Sequence, residues 1–541
     1  MMSPRVFLRA TVWLAALATL PLADGWAASQ SESDSDSSRV FSVILEGGSV
    51  HDGSGGEPIV QDVGIIGDRI GAIGDLAGER AGERIDVRGL AVVPGFIDTH
   101  SHAVRGVFRH PDAENYIRQG VTTVVGGPDG GSPFPIAEFL ARLDVTAPAV
   151  NFALTVGHGT IRRAVIGNED RDPTPEELER MEAMVDQAMR EGAYGLSSGL
   201  KYVPGAYAKT EEVIALARVA ARHGGYYVSH MREEGLQLLE SVDETIRIGQ
   251  QGGLPTQLTH HKVVGAPMWG KSRDSLDMVD EARSRGVDVT IDQYPYTASS
   301  TSLGILFPSW SKEGSREDQL ARLRDPETRA RIEAAVLENL RVDRGGGDAN
   351  NVVVSRCSWD PSLNGKSLAD ILEEQGREAT LEEAAKLALE LQEKGGFSGI
   401  FHAMDERDVQ RILAHPLTMV ASDGGIVAPG EGVPHPRNYG TFARVLGHYA
   451  RELGVLSFSE AIRKMSRFPA ERMGLTDRGR LEADFRADIA VLDPARVIDR
   501  AVFGDPHRYA EGVQHVFVNG VATLRDGEMT GARAGRALRK R

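Results

Sequence analysis

The feature that most constrains the fold of this chain is a repeated alternation of short apolar runs with longer amphipathic segments. The amphipathic segments, such as residues 175–192 and 211–225, carry apolar residues at helical spacing and end in glycine. The apolar runs have the composition of strands, and they are residues 95–102, 121–127, 151–159, 193–202, 225–231, 255–263, 288–299 and 417–425. Eight strand–helix units predict an α/β fold, a (β/α)8 TIM barrel.

Two parts of the chain do not follow this alternation. Residues 39–92 and 478–535 carry short apolar runs between turns, and each is too small to bury a core alone. We therefore expect both chain ends to form one small β-sandwich domain beside a barrel of residues 93–477. The interval between the seventh and eighth strands is unusually long, and residues 303–416 are predicted to be a helical insertion that could act as a lid.

The first residues are typical of a secretory signal peptide. Arg5 and Arg9 precede an apolar run at residues 10–23, which ends near the small residues Gly25 and Ala27 and is short for a membrane span. We predict a signal peptide at residues 1–27 and a disordered, acidic linker at residues 28–38. The mature protein is then exported, periplasmic or secreted, without a membrane span; an uncleaved membrane anchor is the alternative.

Charge and cysteine content exclude several classes of function. The net charge of −16 repels nucleic-acid phosphates, so a small-molecule substrate is expected and nucleic acid is not. An anionic substrate must then meet cations placed locally. Cys357 is the single cysteine, which excludes an internal disulfide and a metal cluster held by several cysteines.

Metal-competent side chains fall at the C-terminal ends of the predicted strands, where the loops of a barrel converge. They are His100, His102, His230, His260 and Asp423. His100 and His102 are two residues apart on a strand, so their side chains face the same side. Imidazoles and a carboxylate suit zinc best, although other divalent metals are possible. Such a metal activates water and polarises a carbonyl, and Asp423 is placed to accept and pass on a proton.

Several motifs make this sequence resemble the amidohydrolase superfamily and, more narrowly, the D-aminoacylases (N-acyl-D-amino-acid deacylases). The motifs extend over most of residues 40–530 and are GFIDTHSH, GVTTVVGG, SHMREE, THHKV, DQYPYTASST, FHAMDERDVQRILAHP, ASDGG and HPRNYGTFARVLGHY. The resemblance implies that His100 and His102 bind at one metal site, that His230 and His260 bind at the other, and that Asp423 is a ligand and the catalytic acid/base. His260, rather than His261, matches the family ligand.

The sequence departs from the D-aminoacylases at one ligand position. Those relatives carry a metal-binding cysteine in a G-N-C-G stretch after the second strand, where this chain has Asp129 in Gly-Pro-Asp-Gly. Lys201 ends the fourth predicted strand, where other amidohydrolases carry a carboxylated lysine that bridges two metals. We expect carboxylated Lys201 to bridge a binuclear centre. The alternatives are Asp129 as an oxygen ligand, or a single metal with Lys201 on the substrate carboxylate.

The resemblance also implies a set of substrate-binding residues. Lys262, Tyr294 and Ser300 match positions that bind the substrate carboxylate, and a cation with two hydroxyls suits that group. Other positions that line the pocket are matched by Tyr202, Met404 and Arg437. Residues 301–310 contain no arginine or lysine, whereas relatives that act on acidic D-amino acids use an arginine near there. This favours a neutral or hydrophobic side chain on the substrate.

We therefore predict metal-dependent hydrolysis of the amide bond of N-acyl-D-amino acids, or of dipeptides that end in a D-residue. One alternative keeps the metals but changes the bond, as in a hydantoinase-like cyclic amide hydrolase or an L-dipeptidase. Another is a non-catalytic binding protein on a decayed barrel. The presence of all four histidines and Asp423 argues against decay.

Overall fold

The computed structural model describes residues 40–540 of the chain. The predicted signal peptide at residues 1–27 and the linker at residues 28–38 lie outside the described residues. Among the helices of residues 40–540, none combines the length and the apolar character that crossing a bilayer requires.

The strands follow one another in chain order as β1 (Val40–Val50), β2 (Ile59–Ile66), β3 (Arg69–Gly74), β4 (Arg80–Asp86), β5 (Ala91–Pro94), β6 (Phe96–Asp98), β7 (Val121–Gly126), β8 (Asn151–Leu154), β9 (Val156–Gly157), β10 (Gly195–Gly199), β11 (Tyr226–His230), β12 (Thr256–Leu258), β13 (Val289–Gln293), β14 (Ala298–Ser302), β15 (Val352–Arg356), β16 (Ser398–His402), β17 (Thr418–Val420), β18 (Ile489–Leu492), β19 (Val513–Val518), β20 (Val521–Arg525) and β21 (Glu528–Met529).

The α-helices alternate with these strands over the central part of the chain: α1 (Glu114–Ile117), α2 (Ile136–Thr146), α3 (His158–Val165), α4 (Pro175–Arg190), α5 (Thr210–Arg222), α6 (Leu238–Gly252), α7 (Ser272–Ser284), α8 (Arg316–Arg324), α9 (Pro326–Val342), α10 (Leu368–Glu374), α11 (Leu381–Lys394), α12 (Glu406–Ala414), α13 (Arg437–Arg444), α14 (Phe458–Met465) and α15 (Arg467–Met473). A π-helical segment, Val445–Glu452, continues α13.

The parallel strands of the central region close into a barrel. Strands β6, β7 and β8 form one sheet, and β9, which directly follows β8, begins the series β9-β10-β11-β12-β13-β17. The amide of Tyr194 donates to the carbonyl of Leu154 at 2.8 Å, which joins the third and fourth strand positions. Ser101 forms a parallel bridge with Gly424, which joins the first position to the eighth. The predicted (β/α)8 fold is confirmed.

Local sequence explains why the barrel elements begin where they do. The barrel strands from β6 to β13 are buried along their whole length, which is why they are apolar runs rather than alternating patterns. Helix α4 begins with a capping box in which Thr174 accepts from the Glu177 amide at 3.2 Å and Glu177 accepts from the Thr174 amide at 2.8 Å. Pro175 occupies its first position, where no amide donor is needed.

Both chain ends join in one sheet, as predicted. Among the described residues this sheet has nine strands, in the order β21-β20-β19-β18-β5-β1-β2-β3, with β4 paired to β1. Strand β5 is the link between the ends, because it pairs with β1 on one side and with β18 on the other. Leu45, Val63, Ile489 and Phe517 belong to its buried core.

The segment between β13 and β17 is an insertion with a core of its own. Helices α8 to α11 pack with a three-stranded antiparallel sheet, β14-β16-β15, around residues such as Leu306, Val336 and Phe401. The insertion was predicted at this place, but as helical. The sheet was missed because β14 lies only four residues after β13, so residues 288–299 look like one strand. Helix α12 lies directly before β17 and is the barrel helix of that unit.

Candidate metal centre

The four histidines singled out in the sequence lie together at the C-terminal end of the barrel. His230 is the last residue of β11, His260 lies two residues after β12, and His100 and His102 follow β6. His230 Nδ1 lies 2.7 Å from His260 Nε2. The ring centroid of His100 is 4.9 Å from that of His260 and 5.8 Å from that of His102. The two pairs therefore share one small volume.

Asp129 lies between the two histidine pairs. Its Oδ1 atom is 3.4 Å from Nε2 of His100, 3.4 Å from Nε2 of His260 and 3.7 Å from Nδ1 of His230. Its Oδ2 atom is 3.3 Å from Nε2 of His102. One carboxylate thus faces all four imidazoles, which is the geometry a bridging ligand requires.

Asp423 completes the side of the site formed by the first pair. Its Oδ1 atom is 3.4 Å from Nε2 of His100 and 3.1 Å from Nε2 of His102. Its Oδ2 atom accepts a hydrogen bond from Arg437 Nη1 at 2.8 Å. Two groups of potential metal ligands result, with Asp129 common to both: His100, His102, Asp129 and Asp423, and Asp129, His230 and His260.

Three of these residues have an uncommon backbone conformation. Asp129, His260 and Asp423 have φ angles of 54°, 36° and 50°, in the left-handed region that residues other than glycine rarely adopt. The neighbouring strands hold them there: the His260 amide donates to Asp292 at 2.6 Å, and the Asp423 amide donates to the His100 carbonyl at 2.9 Å. Strain of this kind concentrates at functional sites, where the surroundings fix the conformation.

Lys201 lies apart from the histidines. Its Nζ atom donates to Glu233 Oε1 at 2.5 Å and is 4.0 Å from Asp343 Oδ2. It is not among the residues that line the cavity beside His102, His230 and His260. Lys201 lies two residues beyond the end of β10, so the strand no longer directs its side chain. This arrangement does not support the expected carboxylated Lys201 bridge and favours the alternative ligand, Asp129.

Glu234 is a buried residue of the site that the sequence analysis did not single out. Its Oε1 atom is 3.0 Å from His260 Nδ1 and accepts from Lys262 Nζ at 2.5 Å, and its Oε2 atom pairs with Arg344. Burial raises the pKa of this carboxyl, but the neighbouring positive charges, above all that of Lys262, outweigh burial and hold the pKa well below its usual value. The sequence signal for Glu234 is its place in the SHMREE motif, four residues after His230.

A second set of contacts orients His100. Its Nδ1 atom contacts the Thr259 hydroxyl, which donates to Asp292 Oδ2 at 2.6 Å. Asp292 also accepts from Gln257, and these residues are buried. Hydrogen bonds to the outer nitrogen fix the ring and its tautomer, which directs Nε2 towards Asp129 and Asp423.

The chemistry of these groups fits a divalent cation. Within residues 40–540, His100 Nε2 and Asp129 Oδ1, which lie 3.4 Å apart, are buried atoms without a hydrogen-bond partner, which is rare in folded proteins. Burial lowers the pKa of His230 to about 3, so its imidazole is neutral, as metal binding requires. Burial raises the pKa of Asp129, but the nearby histidines hold it well below its usual value. Neutral nitrogen and anionic oxygen ligands suit zinc.

Five of the six metal-competent residues, all except His100, line a cavity of about 870 Å³. Five of the six residues predicted to bind substrate line it, namely Tyr202, Lys262, Tyr294, Ser300 and Arg437. Arg437 and Lys262 lie near the Tyr294 ring, at 4.8 Å and 5.6 Å from its centroid. The sixth residue, Met404, is not part of the lining; its Sδ atom accepts from the Tyr294 hydroxyl at 3.9 Å.

Known proteins similar to this chain include D-aminoacylases and related deacylases. The amidohydrolase family model matches residues 83–523. The D-aminoacylase of Alcaligenes xylosoxydans xylosoxydans is 39% identical over 529 residues, which cover 94% of this chain and 99% of that protein. A solved D-aminoacylase with a binuclear metal center has 37% identity and a TM-score of 0.79, covering 92% of this chain and 100% of its own. The N-acyl-D-glutamate deacylase of Bordetella bronchiseptica, complexed with zinc and a phosphonate inhibitor, has 32% identity and a TM-score of 0.80, covering 93% and 100%.

The barrel and its histidine–aspartate centre define a metal-binding hydrolase that acts on amide bonds, and the chain belongs to the amidohydrolase family. Within that family it is a member of the D-aminoacylase group, so the resemblance inferred from the motifs is confirmed.

Proposed function

We propose that this protein hydrolyses the amide bond of N-acyl-D-amino acids, including dipeptides that end in a D-residue, with the help of a divalent metal. The observation that carries this proposal is the shared cavity, in which the histidine–aspartate centre lies beside two cations and a tyrosine hydroxyl. The identity with a D-aminoacylase over nearly the whole chain supports the same substrate class.

The metal ligands we propose are the two groups that share Asp129. His100, His102 and Asp423 bind on one side of Asp129, and His230 and His260 bind on the other. Zinc is the metal we favour, because the donors are imidazoles and carboxylates and a similar deacylase was solved with zinc. A metal bound here supplies activation of water and polarisation of the scissile carbonyl.

Asp423 is the proposed proton carrier. Burial raises its pKa, but the charges of Arg437 and His100 outweigh burial and hold it well below its usual value, so the carboxylate begins ready to accept a proton. Arg437 holds Oδ2, while Oδ1 faces His100 and His102, the side from which we propose that the attacking water approaches. Asp423 accepts the proton of that water and delivers it to the leaving nitrogen.

Lys262, Tyr294, Ser300 and Arg437 are the proposed clamp for the substrate α-carboxylate. All four line the same part of the cavity, and Arg437 Nη2 also donates to the Ser300 carbonyl at 3.3 Å, which ties two members of the clamp together. Tyr202 lines the cavity beside the metal centre, and its ring centroid lies 4.5 Å from the ring centroid of His230. A clamp of cations and hydroxyls orients the amide towards the metal ligands.

We propose a neutral or hydrophobic side chain on the D-residue. Residues 301–310 supply no cation, and Arg344, which the insertion contributes to the cavity, forms an ion pair with Glu234. Arg356 of the insertion also lines the cavity and forms no ion pair within residues 40–540, so acidic D-residues belong in the test. Comparison of N-acetyl-D-leucine with N-acetyl-D-glutamate decides the preference: a higher kcat/KM for D-glutamate contradicts it.

Cyclic amides and L-dipeptides are the competing substrates. A panel of N-acetyl-D- and L-amino acids, D- and L-dipeptides and hydantoins tests the proposal on the zinc-loaded protein. We expect release of free D-amino acids. Turnover of L-dipeptides or hydantoins without D-substrates would overturn the proposed function.

Export is also a proposal. The basic and apolar start of the chain, residues 1–27, supports cleavage after a secretory signal. Cell fractionation of the full-length protein, followed by determination of its mature N-terminus, tests this. A cytoplasmic protein that keeps residues 1–27 would contradict it.

A further inference from the structure

The cavity extends past the metal centre on the side of the first two barrel strands. Its lining there comes from the segment after β6 and from α2, and it includes Val104, Arg105, Phe108, Phe139 and Arg142. The proposed carboxylate clamp lies elsewhere around the barrel, because Lys262 follows β12 while Tyr294 and Ser300 follow β13. A substrate held by the clamp with its amide at the metal ligands therefore points its acyl group towards the first two strands.

This outer part of the cavity presents aromatic surface. The rings of Phe108 and Phe139 meet edge to face, with centroids 5.0 Å apart and an angle of 66° between their planes. Both side chains are only partly buried. The Arg142 guanidinium lies 3.7 Å from the Phe108 centroid. Partly exposed aromatic rings in a concave site are the usual contact surface for the apolar body of a ligand.

The same part of the cavity carries positive charge that the protein does not neutralise. Arg105 and Arg142 are exposed, and neither forms an ion pair within residues 40–540. Their neighbour Arg109 differs, because it pairs with Glu431 at 3.3 Å. In a chain of net charge −16, two uncompensated guanidinium groups at one cavity wall favour an anionic ligand group there.

The volume fits a ligand larger than an N-acetyl amino acid. At about 870 Å³ the cavity lies in the upper part of the range of about 300–1,000 Å³ that holds drug-sized ligands. An acetyl group at the metal centre contacts only the nearest lining residues. The space beside Phe108 and Phe139 is left for a longer acyl group.

We infer that Val104, Arg105, Phe108, Phe139 and Arg142 form an acyl subsite, which binds N-acyl groups with an apolar chain and a terminal anion. The inference rests on the proposed function, since it requires the scissile amide to lie at the metal centre. A ω-carboxyacyl group fits both the aromatic half and the cationic half of the subsite. Its methylene chain packs on the two phenylalanines, and its carboxylate contacts Arg105 and Arg142.

Three substrates with the same D-residue test the subsite: N-acetyl-, N-hexanoyl- and N-adipoyl-D-leucine. The hexanoyl and adipoyl groups have the same number of carbons and differ only in the terminal carboxylate. On the zinc-loaded protein we expect kcat/KM to increase from acetyl to hexanoyl, and by about tenfold more from hexanoyl to adipoyl, which is the effect of one charge-assisted contact. Equal values for the three substrates would overturn the subsite.

Variants separate the two halves of the subsite. R105A and R142A should each lower the ratio of kcat/KM for the adipoyl substrate to that for the acetyl substrate by about threefold, because the two arginines share the expected tenfold gain. F108A should lower kcat/KM for both the hexanoyl and the adipoyl substrate. R180A removes an exposed arginine of α4 outside the cavity and is the matched control. An adipoyl rate in R105A and R142A equal to that of R180A would overturn the charge assignment.

A measurement on the unmodified protein tests the subsite independently of whether the variants fold. Adipate should inhibit hydrolysis of N-acetyl-D-leucine competitively, with an inhibition constant about tenfold lower than that of hexanoate. If all N-acyl-D-leucines are left intact, the proposed function fails together with the subsite. If N-acetyl-D-leucine is hydrolysed but acyl length and charge have no effect, the subsite alone fails.

Discussion

Oδ1 of Asp129 lies 3.4 Å from Nε2 of His260, across the boundary between the two histidine pairs. Its second oxygen reaches the other pair through His102 at 3.3 Å. A single carboxylate therefore faces both groups of potential ligands.

This position makes Asp129 the residue on which metal binding depends most. D129A should lose bound zinc and lower kcat for N-acetyl-D-leucine by at least about 100-fold, because both groups of ligands lose their shared oxygen. D129C restores the cysteine of the D-aminoacylases and should keep at least one zinc per chain. Elemental analysis of the purified proteins provides the measurement.

Lys201 supplies the matched control for Asp129. Its Nζ atom is paired with Glu233, so K201A should keep the zinc content of the unmodified protein. Loss of zinc in K201A, with D129A unaffected, would restore the carboxylated lysine as the bridge.

Asp423 should control the chemical step rather than substrate binding. D423N keeps the size of the side chain but removes its capacity to carry a proton. We expect kcat to fall by about 10²–10⁴-fold, the usual contribution of a general acid or base, with a much smaller change in KM. Steady-state kinetics measure both parameters. A variant with the kcat of the unmodified protein would remove the role assigned to Asp423.

Tyr294 should contribute to recognition of the α-carboxylate. Y294F removes the hydroxyl and keeps the ring that lies beside Arg437 and Lys262. KM for N-acetyl-D-leucine should rise by about three- to tenfold, the effect of one lost hydrogen bond. N-acetyl-D-leucinamide lacks the carboxylate, and binding of this analogue should be the same in Y294F and the unmodified protein. An equal loss for both compounds would assign Tyr294 to packing instead.

Glu234 should be a determinant of stability. Its carboxylate is buried against Lys262 and Arg344, so E234Q leaves two buried cations without their partner. We expect the free energy of unfolding to fall by about 3–5 kcal/mol. E281A is the control, because the exposed pair of Glu281 with Arg285 contributes at most about 1 kcal/mol. Urea denaturation compares the two, and similar losses would contradict the assigned role.

The sequence predicted the barrel and five of the six potential metal ligands that lie together, because both depend on local pattern. Buried strands are apolar runs. The polar residues at their C-terminal ends, such as His230, come together at one end of a barrel whatever path the loops take. The choice between Lys201 and Asp129 could not be made in this way, since both follow strand ends. What favours Asp129 here is its place between the two histidine pairs, which tertiary contacts determine.

Other parts of the site were hidden for different physical reasons. A charged residue such as Glu234 is usually solvated, and its burial depends on Lys262 and Arg344, the second of which is 110 residues away in the insertion. The sheet of the insertion was hidden because its strands pair across long intervals: β14 and β15 both pair with β16. Long-range pairing of this kind leaves no local periodic signal.

The central claim is that a metal held by these histidines and aspartates drives hydrolysis of a D-amide. The most direct test follows release of free leucine from N-acetyl-D-leucine and N-acetyl-L-leucine by the purified protein, before and after chelation and after zinc is restored. We predict that D-leucine is released, that chelation abolishes the activity, and that zinc restores it, while the L-substrate stays intact. Undiminished hydrolysis after complete removal of metal, or hydrolysis of the L-substrate alone, would contradict the account.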